Sequence, residues 1–176
     1  MRPTKTQYYI NMAKTAAQRG TCLRTNYGAV IVKDDRICST GYTGSPRGVA
    51  NCIDTGICSR ESVKSLNPDV KAYEHCVSVH AEMNAIISAC PTDLDGATMY
   101  ISGIENRPGK TLDCVPCMFC RRLIVNARIS LVIVEDDGDI IQSRPHRWQK
   151  YGTSIYTDMK MQHGIWRILD DQVYST

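Results

Sequence analysis

The feature that most restricts how this chain can fold is a metal motif split into two halves. His80-Ala81-Glu82-Met83-Asn84-Ala85-Ile86-Ile87 carries a histidine and a glutamate, and Pro116-Cys117-Met118-Phe119-Cys120 carries two cysteines. One imidazole and two thiolates give zinc three protein ligands, and the open fourth position suits a catalytic water rather than a closed structural site. Both halves read as helix starts, so the fold has to aim two positive helix ends at one metal. That placement lowers thiol pKa values and keeps Cys117 and Cys120 deprotonated for binding. Glu82 is read as a proton carrier and not as a ligand. Residues i and i+2 do not share a helix face, so Glu82 stands beside the metal, where a carboxyl can move protons.

Each half alone has a plainer reading. A Cys-x-x-Cys pair is often a structural knuckle or a disulfide, and a histidine near a helix start is often a cap or a core residue. Together, in this order and each opening a helix, the halves form the pattern of zinc-dependent nucleobase deaminases. That chemistry adds water across C4 of cytosine, protonates N3 and then protonates the departing amine, with Glu82 as base first and acid later. The backbone N–H of Ala81, at the same helix start, is placed to bind the pyrimidine O2.

A chain of 176 residues is long enough for a single domain with a substantial core. The net charge of +3 is too mild for polyanion binding but suits a small phosphorylated substrate. Met1 to Ile10 has no apolar run, and no stretch approaches a membrane span. Nine cysteines in such a chain read as reduced thiols and metal ligands, and the compartment as cytoplasmic.

Tyr9, Met12, Ala13, Ala16 and Ala17 predict a helix over 5–19, stopped near Gly20. Strands are expected over 28–33 and 37–42, joined by a turn at Asp34-Asp35, followed by an ordered loop over 41–48. A helix over 80–90 closes at Pro91, and a strand follows over 96–102. Pro116 at a first helical position starts a helix over 117–127, then comes a strand over 129–134 and a turn over 135–139. A short helix within 144–162 and a last strand over 165–169 complete the α/β pattern of a sheet covered on both faces. Two segments stand out as insertions, 49–79 and 103–113. The first holds Cys52, Cys58, His75 and Cys76, and a loop that long is functional or held by something, such as a second metal. Cys38, Cys90 and Cys114 read as core or incidental thiols, Cys114 being the one nearest the ligand pair.

Six segments, in order, resemble the deoxycytidylate (dCMP) deaminase family of the cytidine-deaminase superfamily. They are Tyr27-Gly-Ala-Val-Ile-Val32, Gly41-Tyr-Thr-Gly-Ser-Pro46, Asn51-Cys-Ile-Asp54, His80-Ala-Glu-Met-Asn-Ala-Ile86, Gly96-Ala-Thr-Met-Tyr100 and Pro116-Cys-x-x-Cys120. The resemblance implies a three-layer α-β-α sandwich with a five-stranded mixed sheet, and hydrolysis of dCMP to dUMP, supplying dUMP for thymidylate synthesis. It also implies a homo-oligomer, commonly a hexamer, and dCTP and dTTP as activating and inhibiting effectors. Members with a second, structural zinc place its ligands at positions matching Cys22 and Cys52. His75 is the first choice for a further ligand and Cys58 the second, with Cys76 able to substitute.

The chain departs from that family at three places. Thr43 stands where an asparagine usually touches the sugar, beside Gly44, and a hydroxyl cannot make an amide's paired contact. The segment before Pro116 is longer than usual, and Glu135-Asp-Asp-Gly-Asp139 replaces aromatic residues that usually pack on the base. Arg24 and Arg47 are the candidates for the substrate phosphate. Arg144-Pro-His-Arg-Trp-Gln-Lys150 reads as a packed C-terminal helix with a solvated face. The alternatives are a deaminase of another cytosine nucleotide or of a modified dCMP, a deaminase of a base within tRNA or another nucleic acid, and a zinc-stabilised interaction domain. The mild charge speaks against a nucleic-acid substrate, and Glu82 against a purely structural metal.

Overall fold

Thr4 opens the first helix by accepting the backbone N–H of Gln7 on its Oγ1 at 3.2 Å, which satisfies one of the amides left free at a helix start. In this computed structural model, residues 2–107, 112–136, 138–146 and 148 are described, with the backbone of 159–162 and 165–168. α1 (Lys5–Ala17) buries Tyr9, Ile10, Ala13 and Ala17 as one stripe. The next strand, β1 (Thr25–Lys33), is buried on both faces. Its Val30 and Val32 join Ile10 and Ala13 of α1 in one cluster, while Ala29 and Ile31 belong to the cluster on the other face. Gly28 sets the closeness of α1, because a Cβ there would run into the backbone of Ala13 and Ala17.

β2 (Arg36–Tyr42) returns antiparallel to β1 through Asp34 and Asp35, whose φ values are 49° and 60°. Two left-handed residues in a row make the tight turn whose twist matches the strands it joins. The Asp35 carboxylate accepts from Lys5 Nζ at 2.6 Å and from Tyr9 Oη at 2.7 Å, so the turn is tied to α1. The bond from Lys5, then that from Tyr9, holds Asp35 below the usual carboxylate range. Burial first, then Asp35, pushes the Tyr9 phenol up to about 12.

The opposite face is covered by α4 (Ala81–Ser88). Ser39 Oγ of β2 donates to the Ala85 carbonyl and Asn84 Nδ2 donates to the Tyr42 carbonyl, each at 2.8 Å. Gly41 lets the two backbones meet, since a Cβ there would strike the Ala81 carbonyl and the Ala85 amide. β3 (Thr98–Glu105) pairs antiparallel with β1, and β4 (Leu131–Asp136) lies parallel to β3. A parallel pair needs a crossover, which α6 (Met118–Asn126) supplies. Ile124 of α6 is buried with Ala81, Ala85, Met99 and Val132, and each large aliphatic side chain so buried stabilises the fold by about 1.5–3 kcal/mol. β5 (Asp139–Ser143) pairs with β4, and β6 (Met159–Gln162) and β7 (Ile165–Ile168) extend that edge. The strand order is β2-β1-β3-β4-β5-β6-β7. This is the expected mixed sheet between helical layers, with the last strand at 165–168 as read from the sequence and β5 and β6 added before it.

Several boundaries move. Pro116 lies one residue before the cap of α6, and Cys117 is the cap itself, so the proline is not at a first helical position. α4 ends at Ser88, two residues before the expected end at Cys90, because Ala89 is already extended, and Pro91 opens a short turn, α5 (Pro91–Leu94). Glu135 and Asp136 continue β4, and Gly138 at φ 82° makes the turn. The 49–79 segment contains α2 (Cys52–Thr55), α3 (Ser59–Leu66) and a 3-10 turn over Ala72–His75. Within 144–162, Pro145, His146 and Trp148 have helical backbone and 159–162 is β6; the rest of that expected helix lies outside the described residues. Trp148 is buried and its Nε1 donates to Ser143 Oγ at 3.1 Å, as the packed reading of this segment requires.

The end of α6 carries a testable strain. The amide of Ile129 bonds to the Ile124 carbonyl and that of Arg128 to Val125, a Schellman ending. Its left-handed position is Arg128 at φ 57°. A residue with a Cβ is penalised there, and the exposed ion pair of Arg128 with Asp95 offsets little. Arg128→Gly is expected to raise stability by about 0.5–1 kcal/mol in urea unfolding; a loss of stability would contradict this account.

Candidate active site

His80 is the cap residue of α4 and Cys117 the cap residue of α6. Neither side chain is spent on capping its own helix, so both point away from the helix ends into a shared space. His80 Nδ1 lies 3.5 Å from Cys117 Sγ and 3.4 Å from Cys120 Sγ. Tetrahedral zinc with ordinary Zn–N and Zn–S bonds separates nitrogen from sulfur by about 3.5 Å. The donor set and the spacing both fit a zinc ion. Among the described residues this trio is the group of metal-capable side chains gathered within 4.8 Å.

The two sulfurs form a coupled pair. A hydrogen bond from Cys120 holds Cys117 as a thiolate, its pKa lowered to about 3, with His80 assisting. That same bond, then burial, pushes Cys120 the other way. In physical terms the pair keeps one proton, which an incoming cation displaces. His80 is raised, chiefly by its bond to Cys117.

Glu82 is 6% exposed, in the first turn of α4. Burial raises its carboxyl pKa, toward the range where a group can both take and give a proton near neutral pH. It lines a cavity of about 340 Å³ together with His80, Cys117, Tyr27, Thr43 and Ile101, a volume within the range of small-molecule sites.

The expected substrate contacts divide. Thr43 and Arg24 line this cavity; Gly44, Ala81 and Arg47 are not among its lining residues. The Thr43 hydroxyl accepts the Tyr27 amide at 3.1 Å and donates to the Tyr27 carbonyl at 3.4 Å, so it holds β1 while forming the wall. Gly44 bridges to Val79 through its backbone. Ala81 is fully buried against Gly41, and Arg47 is solvent-exposed. Arg24 forms a 3.4 Å ion pair with Glu61 of α3.

The lining also includes aromatic and cationic residues that were not assigned from sequence. Tyr27 and Tyr73 give the cavity aromatic walls, and Arg60 adds a second cation. Tyr73 and Arg60 sit in the irregular 49–79 segment, where no periodicity marks them. Tyr27 opens one of the segments that carries the family resemblance and its place in the strand gave no role. Cys114 is a buried wall residue whose thiol is pushed up, mainly by burial, so it stays protonated.

Cys22, Cys52, Cys58 and Cys76 line the same cavity. Burial raises the Cys52 thiol, and Cys22, Cys58 and Cys76 raise it further, although among the described residues these four are not gathered within 4.8 Å of one another as the His80 trio is. His75, the first choice for this cluster, is exposed and its carbonyl accepts from Ser59 Oγ at 2.7 Å. Cys76, the residue that follows the 3-10 turn, is half-buried and lines the cavity, while His75 does not.

Residues 3–136 match the cytidine and deoxycytidylate deaminase zinc-binding region. A deoxycytidylate deaminase of Mycobacterium phage D29 is 38% identical over 75% of this chain and 94% of its own length. A deoxycytidylate deaminase of Saccharomyces cerevisiae is 34% identical over 76% of this chain, which spans only 38% of that protein. In fold, the chain is similar to the dCMP deaminase of cyanophage S-TIM5, with a TM-score of 0.52 at 23% identity over 77% of this chain and 85% of that one. With the ligand trio, the buried acid and this match along most of its length, the chain belongs to the cytidine and deoxycytidylate deaminase zinc-binding family.

Proposed function

We propose that the protein hydrolyses dCMP to dUMP and ammonia at the His80–Cys117–Cys120 site. The observation that carries this reading is a zinc-spaced ligand trio beside a buried carboxyl, in a cavity of mononucleotide size. Zinc, held by those three side chains, supplies the Lewis acidity that makes water a nucleophile at neutral pH. Glu82 takes a proton from the attacking water and gives it to N3 as the C4–O bond forms. The proton of the hydroxyl added at C4 then passes through the same carboxyl to the exocyclic nitrogen, which leaves as ammonia as the C4–N bond breaks and the C4 carbonyl forms. Tyr27 and Tyr73 wall the base, and Arg24 and Arg60 are the cations placed to meet the phosphate.

The same reading includes a second, structural zinc on Cys22, Cys52, Cys58 and Cys76. The Arg24 amide already donates to Cys22 Sγ at 3.4 Å, the kind of outer bond a metal thiolate accepts. It also includes a homo-oligomer, with a hexamer favoured, and regulation by dCTP and dTTP. Ile87 of α4 and Phe119 of α6 are 73% and 62% exposed, apolar surface suited to subunit contact. No helix among the described residues is long and apolar enough to cross a membrane, and a cytoplasmic location fits the family's chemistry.

The test is ultraviolet-monitored deamination of dCMP, dCTP, deoxycytidine and CMP in parallel by zinc-loaded protein. Turnover of dCMP well above the others is expected, with loss on chelation and recovery on adding zinc. Zinc-loaded protein silent on all four would overturn the reading and send the search to modified nucleotides or nucleic acid.

A further inference from the structure

The two nitrogens of the His80 ring face different partners. Nδ1 faces the two sulfurs at 3.4 and 3.5 Å, while Nε2 lies 2.7 Å from the hydroxyl oxygen of Tyr73. We propose that Tyr73 is a positioning residue of the metal centre, holding the His80 ring in the orientation that presents Nδ1 to zinc. This rests on the reading of His80, Cys117 and Cys120 as zinc ligands.

A neutral imidazole carries one proton, on one nitrogen or the other. A proton on Nδ1 would block the lone pair the metal needs. The Tyr73 hydroxyl can donate or accept at Nε2; once a metal takes the Nδ1 lone pair, the ring proton lies on Nε2, and the hydroxyl oxygen accepts it and fixes the ring's orientation. The geometry suits that bond. The two rings stand nearly perpendicular, 84° apart with centroids at 6.1 Å, so the hydroxyl meets the imidazole at its edge and not at its face.

Tyr73 is held from two sides. The Arg60 guanidinium lies 4.8 Å from the centre of its ring, a cation–π contact. Ser59 Oγ donates to the His75 carbonyl, which fastens α3 to the turn carrying Tyr73. The long 49–79 segment therefore reaches the catalytic ligand through one hydroxyl, and Cys76 of the thiol cluster is three residues further along. A segment that looks like an insertion in the sequence supplies the outer support that zinc histidines usually take from a carboxylate or a carbonyl.

The test is Tyr73→Phe, which keeps the ring and its contact with Arg60 and removes only the oxygen. Zinc affinity is measured by chelator competition, the catalytic site being the binding step that Cys117→Ser lacks. About 10- to 100-fold weaker binding at that step is expected, with the melting temperature of the metal-free protein unchanged. Unchanged affinity overturns the proposal, and so does a fall in metal-free stability that accounts for the whole effect. Wild-type protein with no such binding step would instead sink the zinc reading beneath it. If the variant does not fold, nitrogen-15 histidine spectra of the zinc-loaded wild type decide. A His80 Nε2 proton protected from exchange is expected, and a rapidly exchanging one overturns the assignment.

Discussion

Glu82→Gln should cut dCMP turnover by about 10³- to 10⁴-fold, the upper range for removing a positioned acid–base group. The large effect follows from the double use of one carboxyl, as base for the water and as acid for N3 and the leaving nitrogen. Glutamine matches the side chain in shape and can still accept from the Cys120 side, but it carries no transferable proton. Zinc content should stay at wild-type level, because the ligand trio lies on His80, Cys117 and Cys120. The measurement is metal analysis and the ultraviolet assay on the same preparation. A variant that keeps more than about a tenth of the rate would remove Glu82 from the mechanism.

The same substitution has a stability consequence of known sign. Burial raises the Glu82 carboxyl pKa above its ordinary value. The folded, metal-free protein therefore holds this proton to higher pH than the unfolded chain does. Stability is lost as pH rises from the unfolded pKa through the folded one, and that cost is fully present above the latter. Glutamine has no proton to lose, so metal-free Glu82→Gln should melt higher than metal-free wild type at neutral pH and alike in acid. A site that gains stability when its catalytic group is neutralised is one shaped for chemistry rather than for packing.

The sequence made the metal trio and Glu82 legible because four short-range facts point one way. Two helix-start patterns, a histidine and a paired cysteine leave few geometries, and the structure brings the three ligands to zinc spacing. The sheet was legible for a similar reason, since Ala29 to Val32 is an unbroken apolar run that only a strand covered on both faces can bury. Strands β5 and β6 were not, because Ile140 and Ile141 follow an acidic stretch that reads as a turn. Which neighbour enters the thiol cluster was not legible either. His75 and Cys76 are both metal-capable, and only the folded segment shows that Cys76 lines the cavity while His75 is exposed. Tyr73 and Arg60 are the sharpest case. Nothing local marks them, and their roles exist only because α3 and the turn fold back over His80.

Gly41→Ala should lose both stability and catalysis, and the comparison with Gly28→Ala separates the two. An added Cβ at Gly41 would strike the Ala81 carbonyl and the Ala85 amide, which are backbone and cannot rotate aside. Either β2 bends or α4 slides, at a cost of about 2–3 kcal/mol. Bonds from Ser39 and Asn84 fasten β2 and α4 on either side of the contact, so the strain is carried into the helix. That helix begins at His80 and holds Glu82 in its first turn. A displacement near 1 Å at reacting groups costs about 10²-fold in rate, so kcat of the folded variant should fall and zinc should bind more weakly. A Cβ at Gly28 makes an equally severe clash, but with Ala13 and Ala17 of α1 on the far face of the sheet. Gly28→Ala should therefore lose comparable stability while its folded fraction keeps wild-type zinc affinity and kcat. Urea unfolding with chelator titration and the dCMP assay reads all three quantities for both variants. If both variants lose catalysis equally, the sheet transmits strain between its faces, and α4 is not the element that places the site.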